Sequence, residues 1–315
     1  MNENRLTALR ALLQEKGLDA VVVTKYVNLH YFSGFRGDDT TLVITKDEAL
    51  LVTDNRYTEQ AEKQAPLFTV VEHRHGLLKK TAELIAKLGC RSVGFEGRSM
   101  VYADYRALKD MLTGIDFGTM LDLDALRQVK DEEEIACIRR ACSFADKAFE
   151  DIVHFIRPGR TEIEVAARLE QVMREAGSEK PSSTRSSPRP ARQHAARHGD
   201  GEGHRGGRLR DDGLRREVPG YCSDITRTVC VGEATARQRE VYGAVLGAQE
   251  LVFSLIAPGK SGKEIDAASR EFLKKYDLAQ YFGHGLGHSL GLEIHEEPRL
   301  SPSSTCEHLV PDTAI

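Results

Sequence analysis

Cysteine is scarce and ungrouped in this 315-residue chain. The six residues (Cys90, Cys137, Cys142, Cys222, Cys230 and Cys306) form no Cys-x-x-Cys pair. That excludes a disulfide framework and fits reduced thiols in a cytoplasmic protein. No apolar run approaches the roughly 18 residues that a transmembrane helix needs, so no membrane partner is expected. The opening Met1-Asn2-Glu3-Asn4-Arg5 leads into an amphipathic pattern and not into a signal peptide. A large charge of one sign is also lacking. Lys+Arg number 44 and Asp+Glu 48, a net charge of −4, which gives no general attraction to nucleic acid or to a membrane surface. With 40% hydrophobic and 29% charged residues, the length suits about two domains with real cores.

Leu6, Leu9, Leu12 and Leu13 recur at helical spacing, and Gly17 follows as a stop. Ala20-Val21-Val22-Val23 predicts a buried strand. Thr41–Ile44 and Ala49–Val52 predict two more, joined by a turn at Lys46-Asp47-Glu48. A helix after Asp54, a helix over Leu77–Leu88 and a strand at Ser92–Phe95 complete an alternating α/β domain over residues 1–122. Residues 123–135 form a connector. Asp131-Glu132-Glu133-Glu134 sets acids at a helix start, where the macrodipole favours them, and is expected as a solvated first turn. Pro158-Gly159 ends that helix, and the next has Ile163, Ala166, Leu169 and Met173 as its expected core face. A third long helix carries Val241, Val245, Leu251, Val252 and Leu255 and stops at Pro258-Gly259. No repeat of 20–50 residues is evident.

Residues 180–217 differ from the rest. They contain no Ile, Val, Phe, Tyr or Met, and nine Arg. Such a stretch buries too little apolar surface to offset its ordering entropy and is expected to be disordered or poorly packed. Taken at face value it could be a basic segment for single-stranded nucleic acid. Its lack of aromatics and its five acids argue against that.

The informative stretch is Gly283-His284-Gly285-Leu286-Gly287-His288-Ser289-Leu290-Gly291-Leu292-Glu293-Ile294-His295-Glu296-Glu297-Pro298. Its glycines disfavour a helix, so His284 and His288 are not a helical zinc pair. They let the backbone approach a ligand or metal closely. Three histidines within twelve residues, beside alternating apolar positions, point to a site and not to three unrelated side chains.

This stretch resembles the signature of the aminopeptidase P/prolidase family, metallopeptidases of pita-bread fold that cleave bonds on the amino side of proline. Gly220-Tyr221-Cys222-Ser223-Asp224-Ile225-Thr226-Arg227-Thr228 resembles a second family motif, and Leu126–Glu134 resembles the start of its catalytic domain. The resemblance implies an α+β chain: an N-terminal creatinase-like α/β domain at 1–122, then a pita-bread domain at 136–315, with 181–219 aberrant and the C-terminal strands missing. It implies two divalent metal ions, manganese first, with cobalt or zinc also suited to carboxylate and imidazole ligands. It implies that they lower the pKa of a bridging water, so that hydroxide attacks the scissile carbonyl. Asp224 matches the bridging metal ligand and His288 the imidazole ligand. His284 and His295 match catalytic histidines that orient substrate and stabilise the tetrahedral intermediate. The implied partners are a proline-containing peptide and a second copy of the chain.

Three of the family's ligands have no match. The position eleven residues before Asp224 holds Gly213, and the two Glu ligands are expected after Ile315. Permitted codons for Ala195–Arg215, read one base later, give Pro-His-Gly-Thr-Ala-Thr-Glu-Lys-Val-Ile-Glu-Ala-Gly-Asp-Phe-Val-Thr-Met-Asp-Phe-Gly. That looks like the family's missing sequence, with an Asp at position 213. A frameshift entering after Pro181 and corrected near Gly220 is the expected cause; a genuine Arg/Ser/Gly-rich linker is the alternative. The chain is therefore expected to be an Xaa-Pro peptidase by descent with little or no activity, or else a non-enzymatic pita-bread scaffold.

Overall fold

Four consecutive apolar residues, three of them β-branched, favour an extended strand buried on both faces. In the computed structural model, which describes residues 2–179, 182–184, 204–205, 208–212 and 220–315, β1 (Ala20–Val23) is that strand, and all four residues are fully buried. It lies inside a six-stranded sheet with β2 (Thr41–Thr45), β3 (Ala49–Thr53), β4 (Thr69–Glu72), β5 (Ser92–Glu96) and β6 (Asp116–Leu121). The strand order is β4-β3-β2-β1-β5-β6. The β1–β2 and β2–β3 pairs are antiparallel, and β3–β4, β1–β5 and β5–β6 are parallel. Helices α1 (Asn2–Lys16), α2 (Tyr26–Ser33), α3 (Thr58–Gln64), α4 (Leu77–Lys87) and α5 (Tyr102–Met111) complete this unit. Gly17 ends α1 at φ +65°, a conformation that glycine adopts without strain.

The chain divides into two units, Met1–Arg127 and Gln128–Ile315. The second is built on two helical hairpins, α6 (Glu132–Phe155) with α7 (Glu162–Ala176), and α8 (Ala236–Leu255) with α9 (Gly262–Lys274). Between them lie the strands β7 (Ser182–Thr184), β8 (His204–Arg205), β9 (Arg208–Asp212), β10 (Cys222–Ile225) and β11 (Thr228–Val229). After α9 come β12 (Gly287–Ser289) and β13 (Glu296–Leu300). The sheets are β10-β9-β7, β11-β8 and β12-β13, and every pair in them is antiparallel. Parts of the segment expected as a disordered insert are thus strands. The remainder of 180–219, including position 213, lies outside the described residues.

The two hairpins repeat one another at a spacing of 100 residues, from Ile156 to Ile256. Ile156-Arg157-Pro158-Gly159-Arg160-Thr161 and Ile256-Ala257-Pro258-Gly259-Lys260-Ser261 join their helices. Gly159 and Gly259 both have left-handed backbones, φ +91° and +83°. Thr161 and Ser261 both cap the following helix with their hydroxyls. Each long helix also opens with a capping box, Asp131 with Glu134 and Thr235 with Gln238.

Two expectations change. Ile163 was placed on the core face of α7, yet it is 69% exposed, because the face centred on Leu169 and Met173 packs on Ala145, Ala148 and Ile152 of α6. The acidic start of α6 is not wholly solvated: Glu134 is buried and accepts a hydrogen bond from the buried Tyr221 hydroxyl at 2.5 Å. Tyr221→Phe is expected to destabilise the protein by about 2 kcal/mol, since hydrogen bonds to charged groups contribute that much. Urea unfolding with an unchanged m-value checks this; an unchanged midpoint would show that the bond adds nothing.

Candidate metal centre

Strand β10 carries Asp224. Its neighbours anchor it: Cys222 N–H donates to Gly291 O at 2.7 Å, and Ser223 Oγ donates to Ala141 O at 3.3 Å. Strand β12 carries His288, and His295 immediately precedes β13. These three side chains converge from two sheets. Each offers an atom to a cluster in which the offered atoms all lie within 4.8 Å of one another. The rings of His288 and His295 are 4.3 Å apart between centroids.

The cluster has the polarity of a cation site. His288 Nδ1 is 3.1 Å from its neighbour's carbonyl, Ser289 O, and as the donor there it leaves Nε2 of the neutral ring as the free lone pair. That Nε2 lies 3.6 Å from Asp224 Oδ2, too long for a good hydrogen bond. Asp224 Oδ1 is buried and has no hydrogen-bond partner among the described residues. An unsatisfied buried carboxylate oxygen is costly, and a divalent ion is the partner that would relieve it. The donor set of one carboxylate and two imidazoles suits a divalent ion.

His284 stands apart from this cluster. It is exposed, with Nδ1 at 2.7 Å from Gly285 O and its ring edge-on to Phe282 at 5.0 Å. Its backbone is held firmly. Arg270 on α9 donates to His284 O at 2.6 Å and to Phe282 O at 2.7 Å, and Asp266 grips Arg270 through two bonds of 2.7 and 3.2 Å. Asp266 also accepts from Leu286 N–H at 3.0 Å. No sequence signal marked Arg270 or Asp266, because their partners are backbone atoms brought near only by folding. Glu296 lay inside the histidine motif without an assigned role; it is buried and paired with Lys130 at 3.1 Å.

Residues 136–313 match the family described as metallopeptidase family M24, and residues 5–129 match the creatinase/prolidase N-terminal domain. The chain belongs to metallopeptidase family M24. Among relatives, it is 36% identical to the uncharacterized peptidase YqhT of Bacillus subtilis over 96% of this chain and 86% of that one. It is 35% identical to an Xaa-Pro dipeptidase of Pyrococcus furiosus over 95% of this chain and 85% of that one. The solved structure of an Xaa-Pro dipeptidase from Bacillus anthracis superposes with a TM-score of 0.85 at 33% identity, covering 100% of this chain and 92% of that one. The chain has a creatinase-like α/β domain followed by a pita-bread domain, as the resemblance implied. Membership also implies divalent-metal binding, and Asp224, His288 and His295 are the described residues grouped to offer it. Among the described residues no helix is long and apolar enough to cross a membrane.

Proposed function

We propose that this M24 chain is organised to hydrolyse peptides on the amino side of proline, with divalent metal held at Asp224 and His288. One observation carries the reading: the buried, unpartnered Asp224 Oδ1 beside a histidine whose Nε2 lone pair faces Asp224. Asp224 would hold metal through its carboxylate, and it supplies the cluster's negative charge. His288 is the imidazole ligand, its tautomer set by the Ser289 carbonyl. His295, exposed at the rim of the cluster, and His284, exposed with its backbone clamped by Arg270, orient the peptide and donate to the developing oxyanion. When bound, two such ions, manganese first, would supply activated water and polarise the scissile carbonyl. The ungrouped cysteines suit a reducing compartment, and the cytoplasm is the proposed location.

Gly213 favours a second reading, a non-enzymatic pita-bread scaffold, because a glycine has no side chain with which to hold metal. The two readings part in one experiment. Residues 1–315 are incubated with manganese and an Xaa-Pro peptide, and release of the first residue and metal uptake are both measured. Weak metal binding with turnover far below the ~10 per second of ordinary enzymes is expected. Turnover of that order would overturn the scaffold reading. Absence of any metal binding would overturn the roles of Asp224 and His288.

A further inference from the structure

Lys130 is a buried lysine just before α6, with a side chain only 1% exposed. A buried ammonium persists only where acceptors surround it. Its Nζ donates to Glu296 Oε2 at 3.1 Å, to Ser289 Oγ at 3.3 Å and to Gln128 O at 3.2 Å. Ser289 and Glu296 are opposed residues of the β12–β13 ladder. They are also the residues that follow His288 and His295 in the chain. Successive side chains of a strand point to opposite faces. One ammonium therefore grips, from behind, the neighbour of each histidine of the cluster.

The rest of the loop between the histidines is built around the same carboxylate. Glu296 Oε1 accepts from Glu293 N–H at 3.1 Å. Gly291 has no room for a side chain, since a Cβ there would come within 2.7 Å of Glu296 Oε2. The carbonyl of Gly291 in turn receives Cys222 N–H of the strand that carries Asp224. The backbone of Lys130 meanwhile donates to Asp312 O at 2.9 Å.

We propose that Lys130, through Ser289 and Glu296, is the positioning residue that sets the metal ligand His288 and its neighbour His295 at their spacing. The claim rests on the metal-site reading above, and its test separates the two. The double variant Lys130→Met with Glu296→Leu removes both buried charges, a replacement that often leaves stability unchanged or improved. Lys130→Arg keeps the charge. In the metal-free full chain, proton NMR reads the contact between the two histidine rings, and cobalt titration reads the site. The contact is expected in the parent and in Lys130→Arg, and lost in the double variant at an unchanged melting temperature. Cobalt affinity is expected to fall about tenfold or more, in line with losses seen for groups that orient metal ligands. If the folded double variant keeps the ring contact, the proposal is overturned, whatever the metal does. If the contact is lost but the parent binds no cobalt, the positioning role stands and the metal-site reading falls. If the double variant does not fold, Lys130→Met and Ser289→Ala are read in the same way, and retention of the contact in both overturns the proposal.

Discussion

Asp224→Asn is expected to remove divalent-ion binding, lowering manganese or cobalt affinity by about 100-fold or more. The three grouped side chains are two imidazoles and one carboxylate, so Asp224 holds the only formal negative charge among them. Hard divalent ions depend on such charge, and neutral imidazoles alone favour softer or later metals. The loss should exceed the tenfold to hundredfold drop typical of residues that merely orient a ligand. The fold should not suffer, because among the described residues Asp224 Oδ1 makes no hydrogen bond that the amide would break. Calorimetric titration together with a melting curve checks both halves. An Asn variant that binds metal as well as its parent would remove Asp224 from the site.

The second large effect concerns residues 195–215. Replacing these twenty-one residues by the sequence of the shifted frame is expected to tighten metal binding about 100-fold and to bring Xaa-Pro hydrolysis into view. The exchange restores a carboxylate at position 213. It also converts the β9 segment, now Arg-Leu-Arg-Asp-Asp, into Asp-Phe-Val-Thr-Met. Aromatic and β-branched residues suit a strand far better than a run of charges. Strand β9 pairs with β10, with Arg210 opposite Asp224 and Asp212 opposite Cys222, and position 213 is the next residue in the chain. Metal titration, with peptide cleavage measured alongside, gives the answer. Equal affinity before and after the exchange would favour a genuine linker over a shifted frame.

Some of this protein was determined by local sequence alone. Strands β1, β2 and β3 follow from short apolar runs rich in β-branched residues, and the Lys46-Asp47-Glu48 turn follows from the break between two of them. The end of α1 follows from one glycine that takes a left-handed backbone. The histidine stretch identified the family because its chemistry-bearing residues are close in the chain. Other features were not legible there. The sheet's outer strands β4 and β6 are mixed in polarity, since an edge strand packs less of its surface, and α2 carries no clean helical period. Ile163 is exposed because the neighbouring helix, and not the local pattern, chooses which face of α7 is covered. Glu134 and Lys130 look like surface charges in the sequence. Their burial depends on Tyr221, 87 residues away, and on Glu296, 166 residues away. The sequence named Asp224, His288 and His295 separately. Only the crossing of β10 with the β12–β13 ladder brings them within reach of one ion, because atoms 64 residues apart, from Asp224 to His288, meet through packing and through no local rule.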